Sequence, residues 1–340
     1  MKYRQSTKYS FLNLFFLLTI LAFSSCKNEV KKEVSDENLS GDATFDALSM
    51  AIDDDPQNDS LYFMRAQYLY ETDRLDAAIN DLREAITIDS MVPEYYHLLA
   101  DAFLDISNST RSLKTMEKAS YLFPQRTPTL LKYAELQLIL KQYDNSILTL
   151  NRILKYDPQN GEAYLMLGMN FREMGDTRRA INSFQTATEF DANIIDAWLL
   201  LGNIFEEQKK PEALKYYEAA VNVDPKNVSA LHSKAFWLQN NNQVDKALDI
   251  YKEINLINDK YVDAYLNAGI LHMERKAWDL AYEQFNILTK VSPTEARAYY
   301  FRGVIQEQRK NITEAKADYQ NAINLNPEYE EAKTALEKLK

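Results

Sequence analysis

The sequence predicts an all-α solenoid of stacked helical repeats, and three observations predict it. Asp-Pro-like steps recur at Pro56, Ser90, Pro124, Pro158, Ala192, Pro225, Asp259, Pro293 and Pro327, spaced by 34 residues except for one interval of 33. Each interval carries small residues at the same two places. Gly and Pro number only 7 and 9 in 340 residues. That is too few for the turns of a β-sandwich, a barrel or a dinucleotide-binding sheet. A fixed period of this length marks an architecture in which each unit buries its apolar face against the next.

The first element of the chain is an address. Lys2, Arg4 and Lys8 precede an apolar run over 11–23. The run is too short to span a bilayer, which takes about 20 residues, and it suits the core of a secretory signal. It ends in Phe23-Ser24-Ser25-Cys26. Small residues directly before the one Cys resemble a bacterial lipobox, although Phe23 stands where Leu is usual. The resemblance implies a lipoprotein signal peptide at 1–25 and lipidation of Cys26. Lys27 stands where an Asp would favour inner-membrane retention in enteric bacteria, which points to the outer membrane. Residues 26–41 are expected to form the lipidated Cys and a disordered tether, because they carry charge and almost no large apolar groups.

Residues 42–58 read as a lone half repeat, with Leu48 and Ala51 on its packing face. Eight units then begin at 59, 93, 127, 161, 195, 228, 262 and 296 and fill 59–329. Their eighth place is always Ala or Gly: Ala66, Ala100, Ala134, Gly168, Gly202, Ala235, Gly269 and Gly303. Their twentieth is always small, from Ala78, Ser112 and Ser146 to Ala315. Their twenty-fourth is always large: Leu82, Met116, Leu150, Phe184, Tyr217, Tyr251, Phe285 and Tyr319. The fifth unit reaches this register with one deletion near Lys209-Lys210, expected to shorten its turn. Helices approach closely only where side chains are small, and large ones fill the space beside them. Four of the seven glycines sit at the eighth place although Gly costs about 1 kcal/mol relative to Ala in a helix. Residues 330–340 read as a closing helix that keeps the last apolar face dry.

This pattern resembles the tetratricopeptide repeat, a helix–turn–helix unit. The resemblance implies a right-handed superhelix whose first helices line a concave surface.

Chemistry is scarce. Net charge is -11, which disfavours phosphate neutralisation and hence nucleic acid. One Cys permits no disulfide framework. No phosphate-cradling loop, metal-binding helix motif or nucleophile elbow is present. His97, His232 and His272 fall in three different units and form no metal constellation. The expectation is a chain with no catalytic residue, no metal and no cofactor.

Function is therefore expected on the concave surface. Its places carry thirteen acids, against which stand Arg172 and Arg297. The third unit departs from its siblings, with Gln137 in its packing layer and Leu138-Ile139 where Glu206-Glu207 stand in the fifth. Leu104, Leu131, Leu138, Ile139, Leu165 and Met169 are expected to form an aliphatic patch rimmed by Asp101, Asp105, Glu135 and Glu173. Such a surface suits a protein or peptide with basic and apolar residues. The membrane is expected to be met only through the lipid. The two-carboxylate clamp of the resembled family is not expected, because Phe63, Gln67, Glu94, His97 and Asp101 occupy its places. Ser60 and Ser90 follow Asp and precede an apolar residue, resembling sites glycosylated outside the cytoplasm in one bacterial phylum. The whole reads as a non-enzymatic interaction scaffold, lipid-anchored in the bacterial cell envelope. The alternatives are an accessory lipoprotein of a barrel-assembly, pilus-secretion or polysaccharide-export machine, and a glycan binder using Phe63, Tyr70, Phe236 and Tyr300.

Overall fold

The computed structural model describes residues 41–339, so the signal, tether and Cys26 readings lie outside the described residues. Among the described residues there are eighteen helices and no strand. A single helix, α1 (Ala43–Asp54), comes first. Eight pairs follow: α2 (Asp59–Glu71) with α3 (Leu75–Ile88), α4 (Pro93–Asp105) with α5 (Ser109–Leu122), α6 (Thr127–Ile139) with α7 (Tyr143–Tyr156), and α8 (Gly161–Glu173) with α9 (Thr177–Phe190). Next come α10 (Ile195–Glu207) with α11 (Ala213–Val223), α12 (Val228–Asn240) with α13 (Val244–Ile257), α14 (Val262–Glu274) with α15 (Trp278–Val291), and α16 (Ala296–Gln308) with α17 (Ile312–Leu325). A last helix, α18 (Glu330–Lys338), covers the end. Each helix packs on the next in sequence, so the stack is one continuous solenoid.

Local chemistry starts and stops these helices. The side chains of Asn160 and Asn227 accept the N–H of Ala163 and Ala230 at 2.8 and 2.9 Å, satisfying one free donor at the start of α8 and α12. Pro93 and Pro128 occupy first-turn positions of α4 and α6, where a missing N–H costs nothing. Every first helix ends the same way. Its fifteenth residue takes a positive φ, and the next N–H bonds a carbonyl five residues back, as in Arg74 to Leu69 at 2.8 Å. Only Gly175 adopts this conformation without steric cost; Asp73, Ser107, Lys141, Lys209, Asn242, Lys276 and Lys310 hold φ near 60° with a side chain. The closed turn offsets that strain in seven of eight units.

Within each pair, the large residue of the second helix lies on the small residue of the first. All eight residues at the twentieth and all eight at the twenty-fourth place are at most 1 % exposed. Where the eighth place is Gly, a Cβ would meet the facing ring: 2.4 Å from Phe184 at Gly168, and 2.3 Å from Tyr217 at Gly202. Contact geometry therefore outweighs helix propensity there. Where the twentieth residue is Ser, it bonds across the pair, Ser112 Oγ to the Ala100 carbonyl at 2.7 Å and Ser146 Oγ to that of Ala134 at 2.8 Å.

The deletion in the fifth unit does not shorten the turn. The linker from α10 to α11 is longer than in the other units, and α11 is an 11-residue helix where the other second helices of the pairs have 14. Pro211 cannot donate, and Ala213 and Leu214 bond only three residues back, to Lys210 and Pro211 at 3.3 Å, so the first turn of that helix is lost.

The two terminal units share a device that the inner ones lack. Arg65 forks onto Asp81 at 2.7 and 2.8 Å, and Arg302 onto Asp318 at 2.9 and 2.7 Å, joining first to second helix at the same repeat places. None of the six inner units pairs a cation with a carboxylate at those places; the second holds Leu99 and Thr115, for example, and the sixth Lys234 and Ile250.

Replacing Gly168 with Ala sets an overpacking cost of about 1–3 kcal/mol against a helix gain of about 1 kcal/mol. Gly168→Ala is expected to lower stability by roughly 1 kcal/mol in urea unfolding. Adding Phe184→Leu should recover most of it, since the first three units pair Ala with Leu or Met. A double variant no better than the single one would contradict this packing account.

Candidate functional site

First helices of neighbouring units pack directly on one another, α2 on α4, α4 on α6, α6 on α8 and α10 on α12. Second helices meet the next unit through its first helix. The first-helix layer is therefore the inner side of the stack. Across units two to five this layer holds an open concavity of about 1310 Å³. Its floor and near wall come from Leu104 of α4, Leu131 and Ile139 of α6, and Leu165 and Met166 of α8. Ile194 and Ile195 extend the apolar surface to the start of α10. Asp101, Glu135, Glu162 and Asp196 stand around it with Lys132.

Of the residues read from the sequence, Leu104, Leu131, Ile139, Leu165, Asp101 and Glu135 are brought to one opening. The other four do not line it. Leu138 is half-buried, turned one position round the helix from Ile139, which is 54 % exposed. Met169, at 37 % exposure, and Glu173 lie further along α8. Asp105 accepts the Tyr70 hydroxyl at 2.6 Å. Ser60 and Ser90 are exposed, with Ser60 in the first turn of α2.

The concave acids are less free than their number implied. Lys132 Nζ lies 2.7 Å from Asp101, and Arg126 2.6 Å from Glu94. Arg172 reaches Glu207 at 3.1 Å, and Arg297 comes within 3.9 Å of Asp263. Glu206 and Glu307 accept the hydroxyls of Tyr217 and Tyr319 at 2.6 and 2.7 Å. The four ion pairs join residues 31 to 35 apart, which is one repeat. That spacing was legible in the sequence; Lys132 and Arg126 were missed because neither occupies a concave place itself. Glu135, Glu162 and Asp196 have no ion-pair partner among the described residues. Three unpaired carboxylates thus meet at one opening, while Glu71, Glu173 and Glu274, also without an ion-pair partner among the described residues, lie outside it.

Burial raises the Asp101 carboxyl, while Lys132 opposes that shift. His97 is pushed down to about 4, first by burial and then by the Lys132 and Arg126 charges. It is a neutral imidazole paired with the Thr129 hydroxyl at 3.0 Å. His232 sits against Asn267 at 3.3 Å, in a different unit. Among the described residues, no group of three or more His, Cys, Asp or Glu is placed to hold a metal ion. No helix among them is long and apolar enough to cross a membrane. Three of the four rings considered for sugar stacking are half-buried: Phe63 packs on Tyr95, Tyr70 bonds Asp105, and Tyr300 packs on Tyr329. Phe236 remains 40 % exposed.

A family model described as FAT domain matches residues 37–210, half of the chain. Two models described as tetratricopeptide repeat match 196–227 and 296–329. Similar curated proteins include DnaJ homolog subfamily C member 7 homolog of Dictyostelium discoideum, 24% identical over 73% of this chain and 42% of its own length. Tetratricopeptide repeat protein 6 of Homo sapiens is 27% identical over 50% of this chain and 33% of its length. The chain thus spans less than half the length of these relatives. Among solved structures, the APC/C hetero-tetramer Cut9–Hcn1 aligns at 17% identity over 87% of this chain and 58% of that one, with a TM-score of 0.48.

His97 gives the site a pH signature. A His neutralised by folding leaves the unfolded chain holding more protons between pH 4 and 6.5, so its contribution to stability rises with pH and is lost as pH falls through that window. At pH 5 this amounts to about 1–2 kcal/mol. His97→Gln should remove that part of the difference between urea midpoints at pH 5 and pH 7.5. An unchanged difference would show that His97 does not titrate in this way.

Proposed function

Because the chain belongs to the FAT-domain family over 37–210 and carries tetratricopeptide repeats further on, we propose that it is a non-enzymatic scaffold for protein–protein interaction. It takes a partner segment bearing basic and apolar side chains in the concave opening of units two to five. The observation that carries this reading is the coincidence of Glu135, Glu162 and Asp196, unpaired, with the aliphatic surface of Leu104, Leu131, Ile139 and Leu165. Carboxylates without a cation partner attract and orient a basic segment. Ile139 is exposed and Leu104, Leu131 and Leu165 are half-buried, and the apolar area they still show to water gains about 25 cal/mol per Å² when a partner covers it. An apolar centre with a charged rim is the usual build of a partner site.

Lipid attachment at Cys26 tethers the scaffold to the bacterial envelope, at the outer membrane. The Ser24-Ser25-Cys26 sequence behind a 13-residue apolar run over 11–23 supports this.

Two tests separate these parts. Leu131→Ser combined with Ile139→Asp should abolish in-cell cross-links to the partner. The thermal midpoint should fall by only a few degrees, because Ile139 is exposed and Leu131 is only half-buried at the edge of the core. A folded double variant that keeps every cross-linked partner would exclude the opening. Cys26→Ser should move the protein out of the membrane fraction or leave it unprocessed. Normal cleavage with unchanged membrane association would exclude lipidation there.

A further inference from the structure

The outer side of the stack carries a second surface of opposite charge. Between the second helices α3 and α5, over α4, lies a cleft of about 410 Å³. Its floor is apolar, formed by Tyr96, Leu99 and Phe103 on one face of α4. Its rim is cationic: Arg83 from α3, and Arg111, Lys114 and Lys118 from α5. All four are exposed, and none makes an ion pair among the described residues. Arg83 and Arg111 each hold the guanidinium carbon 5.7 Å from the Phe103 ring centre, and Lys118 Nζ lies 5.4 Å from that of Tyr96. The rings thus position the cations around the mouth of the cleft.

Three of the four cations belong to the second unit. Arg111, Lys114 and Lys118 recur at three, four and seven residues, which places them on one face of α5. The same places in α3 hold Ala77, Asn80 and Glu84, and in α13 Lys246, Asp249 and Glu253. Glu117, the one carboxylate of α5, acts on Tyr133 of α6 and so faces the following unit. In a chain of net charge -11, four unpaired cations on one cleft oppose the general trend of the surface. Solubility needs no such cluster.

We propose that this outer cleft is a second docking site, for an acidic protein segment that carries an apolar anchor residue. Charge complementarity selects the partner: carboxylates meet the four rim cations, and one aromatic or aliphatic side chain enters the cleft onto Tyr96, Leu99 and Phe103. A flat lipid surface would reach the cations and leave the recessed floor unfilled. The site is separate from the concave opening in place and in sign. The protein could therefore hold a basic segment on its inner side and an acidic one on its outer side, bridging two partners.

The test uses the full chain and a fluorescein-labelled peptide of glutamates flanking a central Phe-Leu, followed by fluorescence anisotropy. The peptide is expected to bind, and more weakly as salt is raised. Arg111→Glu with Lys114→Glu and Lys118→Glu should weaken it about tenfold or more, with circular dichroism unchanged because all three side chains are exposed. Leu131→Ser with Ile139→Asp should leave this binding intact, which keeps the result independent of the concave site. Undiminished binding by the charge-reversed variant would overturn the proposal. So would failure to bind the peptide together with sedimentation on phosphatidylcholine vesicles containing phosphatidylglycerol.

Discussion

The structure depends on one close approach, repeated eight times. In every helix pair a large side chain of the second helix rests on a residue with almost no side chain in the first. Phe184 on Gly168, Tyr217 on Gly202, Phe285 on Gly269 and Tyr319 on Gly303 leave less than a carbon atom of clearance. These contacts fix the distance between the two helices, and with it the shape each unit offers its neighbour. Dense packing accepts an added carbon at such a point only where the facing ring sits differently, as in the sixth unit, where Ala235 and Tyr251 are both fully buried. Helix propensity, worth about 1 kcal/mol for a Gly, is the weaker effect and yields.

From this constraint the rest of the order follows. Fixed units stack with a fixed offset, so side chains one repeat apart in sequence become neighbours in space. That is why Arg126 finds Glu94, Lys132 finds Asp101, and Tyr70 finds Asp105. Surface pairs of this kind add little stability each. Their larger effect here is on the electrostatic map: the Arg and Lys pairs neutralise Glu94 and Asp101 on one side of the opening and leave Glu135, Glu162 and Asp196 without a cation. The terminal units have a single helix, α1 or α18, on their outer flank. There the buried Arg65–Asp81 and Arg302–Asp318 forks join the two helices of a pair. Loss of one partner from such a fork leaves a buried charge uncompensated, which makes it a strict condition on how the pair can close.

The two sides of the stack differ for the same reason. First helices pack directly on one another from α2 to α8 and between α10 and α12, and aliphatic and acidic groups from several units merge into one surface there. Second helices stand apart on the outer side, so clefts open between them, and the character of each cleft is set by one or two helices alone. The run of Arg111, Lys114 and Lys118 can therefore make one cleft basic in an acidic chain.

The sequence by itself determined the repeat, its period and its packing layer. Those properties are written as residue size at fixed intervals, and size decides which helix faces can touch. The aliphatic character of Leu104, Leu131, Ile139 and Leu165 was legible on the same basis, because a place in the unit fixes a side of the stack. Three matters were decided only by the tertiary structure. The positive-φ turn that closes every first helix is hidden because Lys, Ser, Asn and Asp carry it where Gly would have signalled it. The fifth unit loses a turn of helix instead of a loop residue, since Pro211 withholds a donor at that point. The charge of the concave surface and of the outer cleft depends on which long side chains meet across units. A lysine or arginine reaches several ångströms in any of several directions, and only the packed stack selects one.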